Sequence, residues 1–207
     1  MTDSVSIADL KNSFRGPLFT PSDDGYETGR RVWNGNIDRR PALIARCTGV
    51  TDVIEAVKFA RARQLLVAVR CGAHSAAGYG TCDGGIVIDL SLMKGIQVDP
   101  TRRTVRAQGG LTWSEFDRET QAFGLATTGG SVSNTGIAGL TLGGGLGWLT
   151  GKHGLACDNL LSADVITADG QFLKASATEN ADLFWARYEA AAGISGSSPT
   201  SSTSFIP

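Results

Sequence analysis

Two stretches hold residues whose types and spacing suit chemistry, and both are poor in side chains. The first, VRCGAHSAAG at 69–78, follows a β-rich run and turns at Gly72. Small residues then present consecutive main-chain N–H groups with nothing in front of them, the arrangement that cradles phosphate and other anions. His74 sits inside this loop, and the chain has only 2 histidines, the other being His153. Arg70, at the strand end, suits either neutralising a pyrophosphate or a local salt bridge. Cys71 beside it suits a small buried position.

The second stretch, GGSVSNTGIAGLTLGGGLGWLTGKHG at 129–154, has ten glycines among 26 residues. Each glycine costs about 0.5–1 kcal/mol in a regular element relative to alanine. Such a run is used where the main chain turns at positive φ or comes very close to something flat and large. Its polar residues are small: Ser131, Ser133, Asn134 and Thr135. Ile137, Leu140, Leu142, Leu146 and Trp148 are the residues of a buried wall, which a flexible linker lacks. The expected ligand is bulky and planar, with polyphosphate or polyol attached. Two common phosphate signatures fail on spacing. A P-loop needs Gly-Lys-Ser/Thr, but Gly151-Lys152 leads to His153, and the position five before Gly151 is Leu146. The fingerprint Gly-x-Gly-x-x-Gly ends on Trp148 when started at Gly143 and on Thr150 when started at Gly145.

The elements that must position these loops can be placed from pattern. Residues 42–46, 65–70 and 85–90 are short β-rich runs. Between the first two lies a helix, with Thr51 as cap, Asp52 and Glu55 in its first turn and Val53, Ile54, Val57 and Ala60 on one face. This predicts a small parallel or mixed sheet with a crossover helix. A hairpin follows over 96–98 and 104–107, turning at Asp99-Pro100-Thr101. Thr112 and Glu115 form a capping box for a helix that stops at Gly124. A second hairpin spans 160–167 and 171–174, and 182–186 is a short helix. The first 36 residues hold a short helix and an irregular lead-in.

The whole chain sets the outer bounds. It has 207 residues, 42% of them hydrophobic, and a net charge of −1 with no basic block. That argues against nucleic acid or an anionic membrane surface as partner. The N-terminus lacks a signal pattern, and no apolar run approaches the roughly 20 residues of a spanning helix. Cys47, Cys71, Cys82 and Cys157 are widely spaced, so neither a zinc site, any other metal site nor a disulfide framework is expected. A reduced, cytoplasmic protein is the expectation.

These motifs together resemble a known family. RPALI at 40–44, RCGAHS at 70–75, GGGLG at 143–147, HGLACDN at 153–159, ADG at 168–170 and DLFWA at 182–186 occur in its order and spacing. The family is that of flavoprotein oxidases with the vanillyl-alcohol-oxidase type of FAD-binding domain, in the berberine-bridge-enzyme-like branch. The likeness covers residues 26–186. It implies an α+β, PCMH-type FAD-binding domain over 37–186, made of two α+β subdomains at about 37–95 and 96–186, after a lead-in at 1–36. FAD would lie extended between the subdomains, as cofactor of an oxidoreductase acting on a small alcohol, sugar or amine with O₂ as acceptor.

The resemblance also assigns residues. His74 matches the histidine joined to the 8α-methyl of the flavin, which raises the flavin potential. Arg70, Gly72, Ala73, Ser75 and Gly78 belong to the loop that would hold the pyrophosphate. Ser133, Thr135, Gly136 and Gly139 would line the other side, with Gly144, Gly145 and Gly147 in the glycine run and Ile166 near the adenine. Val132 stands where some members carry a second linking cysteine, so a single attachment is expected. After DLFWA the family continues RGGGGNFG, whereas here Arg187 leads into YEAAAG. A substrate domain and its catalytic base are therefore expected to be missing, as in a truncated or frameshifted member, and no catalytic residue is assigned. Residues 187–207, rich in Ser, Thr and Gly, are expected to form a disordered tail. The chain is then the cofactor part of an enzyme, an FAD-binding fragment without turnover, or a fragment that does not fold.

Overall fold

The computed structural model describes residues 6–189 and 197–204. Two sheets divide the molecule. The first is built from β1 (Leu18–Phe19), β2 (Leu43–Arg46), β3 (Val67–Arg70) and β4 (Ile86–Asp89), in the order β1-β2-β4-β3. β2 and β3 both run parallel to β4, and β1 is antiparallel to β2. Parallel strands covered on both faces need apolar residues at every position, and all four residues of β4 are buried. One face, with Leu43, Ala45, Ile86 and Ile88, packs on Val53, Ala56, Phe59 and Ala60 of helix α3 (Val50–Ala62) and on Leu10 of α1 (Ile7–Ser13). The other face, with Ile44, Ala68 and Val87, packs on Tyr26 of α2 (Tyr26–Gly29). The alternation follows from the two-residue period of a strand.

One local expectation shifts here. The cap of α3 is Gly49, two residues before Thr51. Asp52 lies in the first turn of α3, as expected, and is buried, where its carboxylate accepts from the Arg15 N–H at 3.0 Å and from the N–H and hydroxyl of Thr48 at 2.8 and 2.7 Å. It thus ties the lead-in to the crossover helix. The lead-in also adds strand β1 and the buried Leu10, Phe14 and Tyr26 to the first sheet's cores, so it is part of that fold.

The second sheet has the order β5-β6-β9-β7-β8, with β5 (Ile96–Asp99), β6 (Thr104–Gln108), β7 (Leu160–Ile166), β8 (Phe172–Ser176) and β9 (Ser197–Ser204), all neighbours antiparallel. Helix α4 (Trp113–Gln121) opens with the expected capping box: Thr112 donates from its N–H and its hydroxyl to Glu115 Oε2 at 2.7 and 2.9 Å. Trp113 and Phe116 of α4 pack on Val105, Ala107, Leu111 and Leu125. The helix Ala181–Glu189 brings Phe184 against Ala163, Val165 and Ala175.

The expectation of a disordered tail fails over 197–204. There the chain is a strand between β6 and β7, in register from Thr104 opposite Ser204 to Gln108 opposite Thr200. Apolar content says nothing about main-chain pairing, and two facing strand edges offer unpaired N–H and C=O groups to any extended segment. The expectation fails at 187–189 as well, which end the helix Ala181–Glu189, and the rest of that expected tail, 190–196 and 205–207, lies outside the described residues.

Candidate cofactor site

The register of the parallel strands builds the first loop's base. Arg46 and Arg70 both lie opposite Asp89 at the ends of β2, β3 and β4. Arg70 Nη2 meets Asp89 Oδ2 at 2.7 Å and Arg46 Nε meets the same oxygen at 3.4 Å, while Asp89 Oδ1 accepts from the Ser91 N–H at 2.9 Å. Arg70 and Asp89 are both buried. The Arg70 guanidinium is therefore committed beneath the loop, and its other terminal nitrogen donates to the Arg31 carbonyl at 3.3 Å. It anchors the cradle and leaves phosphate contact to the main chain.

Beyond Arg70 the chain turns at Gly72 and passes through Ala73 at φ 57°. A left-handed alanine costs about 1–2 kcal/mol. Here it aims the main-chain N–H groups of residues 72–77, none of which has an acceptor among the described residues. The loop closes on itself through Gly78, whose N–H donates to the Ser75 carbonyl at 3.1 Å, and Tyr79, whose N–H donates to the Ser75 hydroxyl at 3.1 Å. Ser75 and Gly78 thus shape the turn, and the free donors are those of residues 72–77.

The second loop meets the first main chain to main chain. A methyl group added at Gly72 would lie 2.3 Å from the Gly136 nitrogen, and one at Gly136 would lie 2.6 Å from both the Gly72 nitrogen and Cys71 Sγ. No other residue type fits at either position. The Gly136 junction is fixed from below: Trp113 N–H donates to the Thr135 carbonyl at 3.0 Å, Ser114 N–H to the Ser133 carbonyl at 2.9 Å, and Ile137 N–H to the Leu111 carbonyl at 2.9 Å. The Trp113 indole forms the floor under Gly129, where an added methyl would lie 2.5 Å from the ring. Helix α5 (Ile137–Leu142) then begins, and a methyl at Gly139 would meet nothing within 4 Å, so that position faces open space.

The glycine run beyond α5 turns at positive φ, as its composition predicts, with Gly144 at 95° and Gly145 at 83°. Gly147 N–H donates to Thr150 Oγ1 at 2.9 Å, and a methyl there would lie 1.7 Å from the Gly129 carbonyl. Gly144 N–H donates to the Thr141 carbonyl at 3.2 Å, and the Gly144 and Gly145 carbonyls accept from Cys157 and Ala156 at 3.0 and 2.9 Å. These three glycines let the run fold back on itself, with no free N–H at Gly144 or Gly147. Asp158 and Asn159 brace the return: Asp158 Oδ2 accepts from the Leu155 N–H at 2.7 Å, and Asn159 Nδ2 donates to the carbonyls of His153 and Leu155 at 3.0 and 2.8 Å.

One further expectation is corrected. Of the supposed wall, Ile137 is buried, but Leu146 is 73% and Trp148 89% exposed. Because the main chain of Gly147 backs onto Gly129, the flanking side chains point outward. Ile166 ends β7 with its side chain buried in the first sheet's hydrophobic core, so a ligand there would meet its main chain. Val132 is 55% exposed on the second loop. His74 is half-buried and stacks against Trp33, a residue no sequence signal connects to it.

The arrangement suits a dinucleotide whose phosphates lie along bare main chain. Donors are free, side chains are absent where the loops touch, and two arginines outnumber one carboxylate below. No group of three or more His, Cys, Asp or Glu among the described residues could hold a metal ion.

A fold of two helix-covered sheets with this junction is that of a dinucleotide-binding protein, and the comparisons identify the dinucleotide as a flavin. The family model described as an FAD binding domain matches residues 41–176. The (R)-6-hydroxynicotine oxidase of Paenarthrobacter nicotinovorans is 41% identical over 174 residues, which are 84% of this chain and 38% of that protein. The structure of BBE-like 1 from Physcomitrella patens superposes with a TM-score of 0.90 at 25% identity, covering 97% of this chain and 44% of that one. Glucooligosaccharide oxidase from Acremonium strictum, an enzyme with a 6-S-cysteinyl, 8α-N1-histidyl FAD, superposes with a TM-score of 0.88 at 28% identity over 99% of this chain and 43% of that one. The chain belongs to the berberine-bridge-enzyme-like FAD-dependent oxidoreductases, and its fold is their PCMH-type FAD-binding fold. Its cofactor is FAD, and it spans about two-fifths of the length of these relatives.

Proposed function

We propose that this chain is the FAD-holding part of an oxidoreductase that oxidises an alcohol, sugar or amine with O₂ as acceptor, its flavin joined to His74. The observation that carries this reading is the main-chain junction of Gly72 and Gly136 two residues from His74. Bound FAD supplies the capacity to take two electrons from a donor and return them to O₂. The protein's part is to hold. Free N–H groups of residues 72–77 would donate to phosphate oxygens, and the buried pair of Arg70 and Asp89 keeps the loop from shifting. On attachment His74 would exchange the hydrogen on one ring nitrogen for a bond to the 8α carbon, with one hydrogen lost from that carbon; the two electrons and two protons would go to dioxygen, giving hydrogen peroxide.

Expression with FAD, followed by acid precipitation, tests the assignment. The wild-type chain is expected to keep its yellow colour in the pellet, and His74→Ala to release its flavin to the supernatant. Free flavin from both removes the covalent link. Anaerobic bleaching by one of a panel of alcohols, sugars and amines, reversed by air, supports turnover. Colour that never bleaches leaves a binding module alone.

A further inference from the structure

The imidazole assigned to the flavin is itself held by a second ring. Trp33 stacks on His74 with ring centroids 5.4 Å apart and 20° between the planes, within the range of offset aromatic stacking. Trp33 is 65% exposed, so its indole fills no core, and its one aromatic partner among the described residues is this histidine. The same segment is fastened to the loop on both sides of His74. Trp33 N–H donates to the Ala73 carbonyl at 3.0 Å, and Asn34 Nδ2 donates to the Ala76 carbonyl at 2.8 Å. Asn34 has a set direction, because its Oδ1 accepts from the Asn36 N–H at 3.1 Å and its carbonyl from the Ile37 N–H at 3.0 Å. Upstream, the Arg31 carbonyl accepts from Arg70, and downstream Arg39 Nη1 donates to the carbonyls of Gly78 and Thr81 at 2.9 and 3.0 Å. Residues 31–39 therefore run as a strap along the whole loop.

This strap meets a specific need. A half-exposed imidazole on a glycine-flanked loop has several rotamers open to it, and bond formation requires one ring nitrogen at one carbon. We propose that Trp33 and Asn34 are positioning residues that fix the His74 ring in the orientation from which it joins the flavin. Trp33 removes alternative ring orientations by stacking, and Asn34 holds the main chain that carries the ring. The proposal rests on the reading of His74 as the attachment point and uses the same balanced step, with dioxygen as oxidant.

The test measures two quantities on the full chain expressed with FAD: total bound flavin, and the share that survives acid precipitation. Trp33→Leu is expected to cut the acid-stable share about tenfold, with total flavin within about twofold of wild type and an unchanged melting temperature, as a small misplacement of a reacting atom does. Trp33→Phe, which keeps a stacking ring, is expected to restore most of the attachment, and Asn34→Ala to lower it about threefold. An effect that acted only on folding would move the melting temperature and would not be rescued by a ring. Trp33→Leu with a wild-type acid-stable share overturns the proposal while leaving the His74 reading in place. So does Trp33→Phe that attaches no better than Trp33→Leu, or Trp33→Leu that loses all flavin. Wild-type chain that releases all its flavin in acid overturns the His74 reading first, and the positioning role with it.

Discussion

The loop at 70–78 and the run at 129–147 meet at Gly72 and Gly136, yet they are held in opposite ways. The first is secured by side chains from elsewhere: Asp89 beneath Arg70, Arg39 on the carbonyls of Gly78 and Thr81, Trp33 on His74. The second is secured chiefly by main chain and by missing side chains, as where Gly147 backs onto Gly129, with the Thr150 hydroxyl on the Gly147 N–H as an exception. The comparison teaches that a cofactor loop can be fixed by charge and reach, or by close approach, and that the two devices fail differently. Losing a side-chain anchor strands its partner. Adding a methyl group forces the main chain apart.

Three experiments press on that difference. The largest effect is expected from Asp89→Ala, which leaves Arg70 buried without its carboxylate. Breaking a buried pair costs about 3–5 kcal/mol, so the urea midpoint is expected to fall sharply. A change within about 0.5 kcal/mol, the range of ordinary surface substitutions, would show that the first loop does not depend on this anchor. Next comes the contrast between two glycines of the second loop. Gly136→Ala is expected to destabilise the chain by about 1–3 kcal/mol through overpacking and to weaken FAD binding in a fluorescence titration. Gly139→Ala, three residues on and facing open space in α5, is expected to add about 0.5–1 kcal/mol to stability of the flavin-free chain. Equal losses from both would erase the distinction. The smallest effect concerns thiols. Burial holds the Cys47 and Cys82 thiols above their usual range, and burial together with the neighbouring Asp158 does the same for Cys157. Cys71, half-buried at the junction of the two loops, is expected to be alkylated first, with bound FAD slowing it about tenfold. Mass-spectrometric labelling in the presence and absence of FAD reads this directly, and a Cys71 rate indifferent to FAD would place the ligand away from the junction.

Much of the first sheet was legible because parallel strands covered on both faces read as unbroken apolar runs, as IVID of β4 does. The capping box of Thr112 and Glu115, both hairpins and the His74 loop were legible because each is a local pattern whose mechanism needs no distant partner. Three features were not. The strap escaped because Trp33 and His74 meet through exposed positions, which leave no periodic trace. The outward turn of Leu146 and Trp148 escaped because counting apolar residues among glycines does not say which way they face. β9 escaped because its composition was weighed for burial, and what places it is a pair of waiting edges. The roles of Gly144 and Gly147 divide similarly: the residue types announced bare main chain, and only the fold shows that their N–H groups are already used.

The late position of β9 has a consequence for synthesis. β6 and β7 lie far ahead of Ser197 in the sequence and pair with β9 on both sides. On the ribosome, every strand of the first sheet emerges long before β9 does. That sheet can close early, but the inner strands of the second must wait until Ser204 has cleared the exit tunnel. During that interval two strand edges are open to neighbouring nascent chains. The edges of β6 and β7 are therefore left open longer during synthesis than any edge of the first sheet.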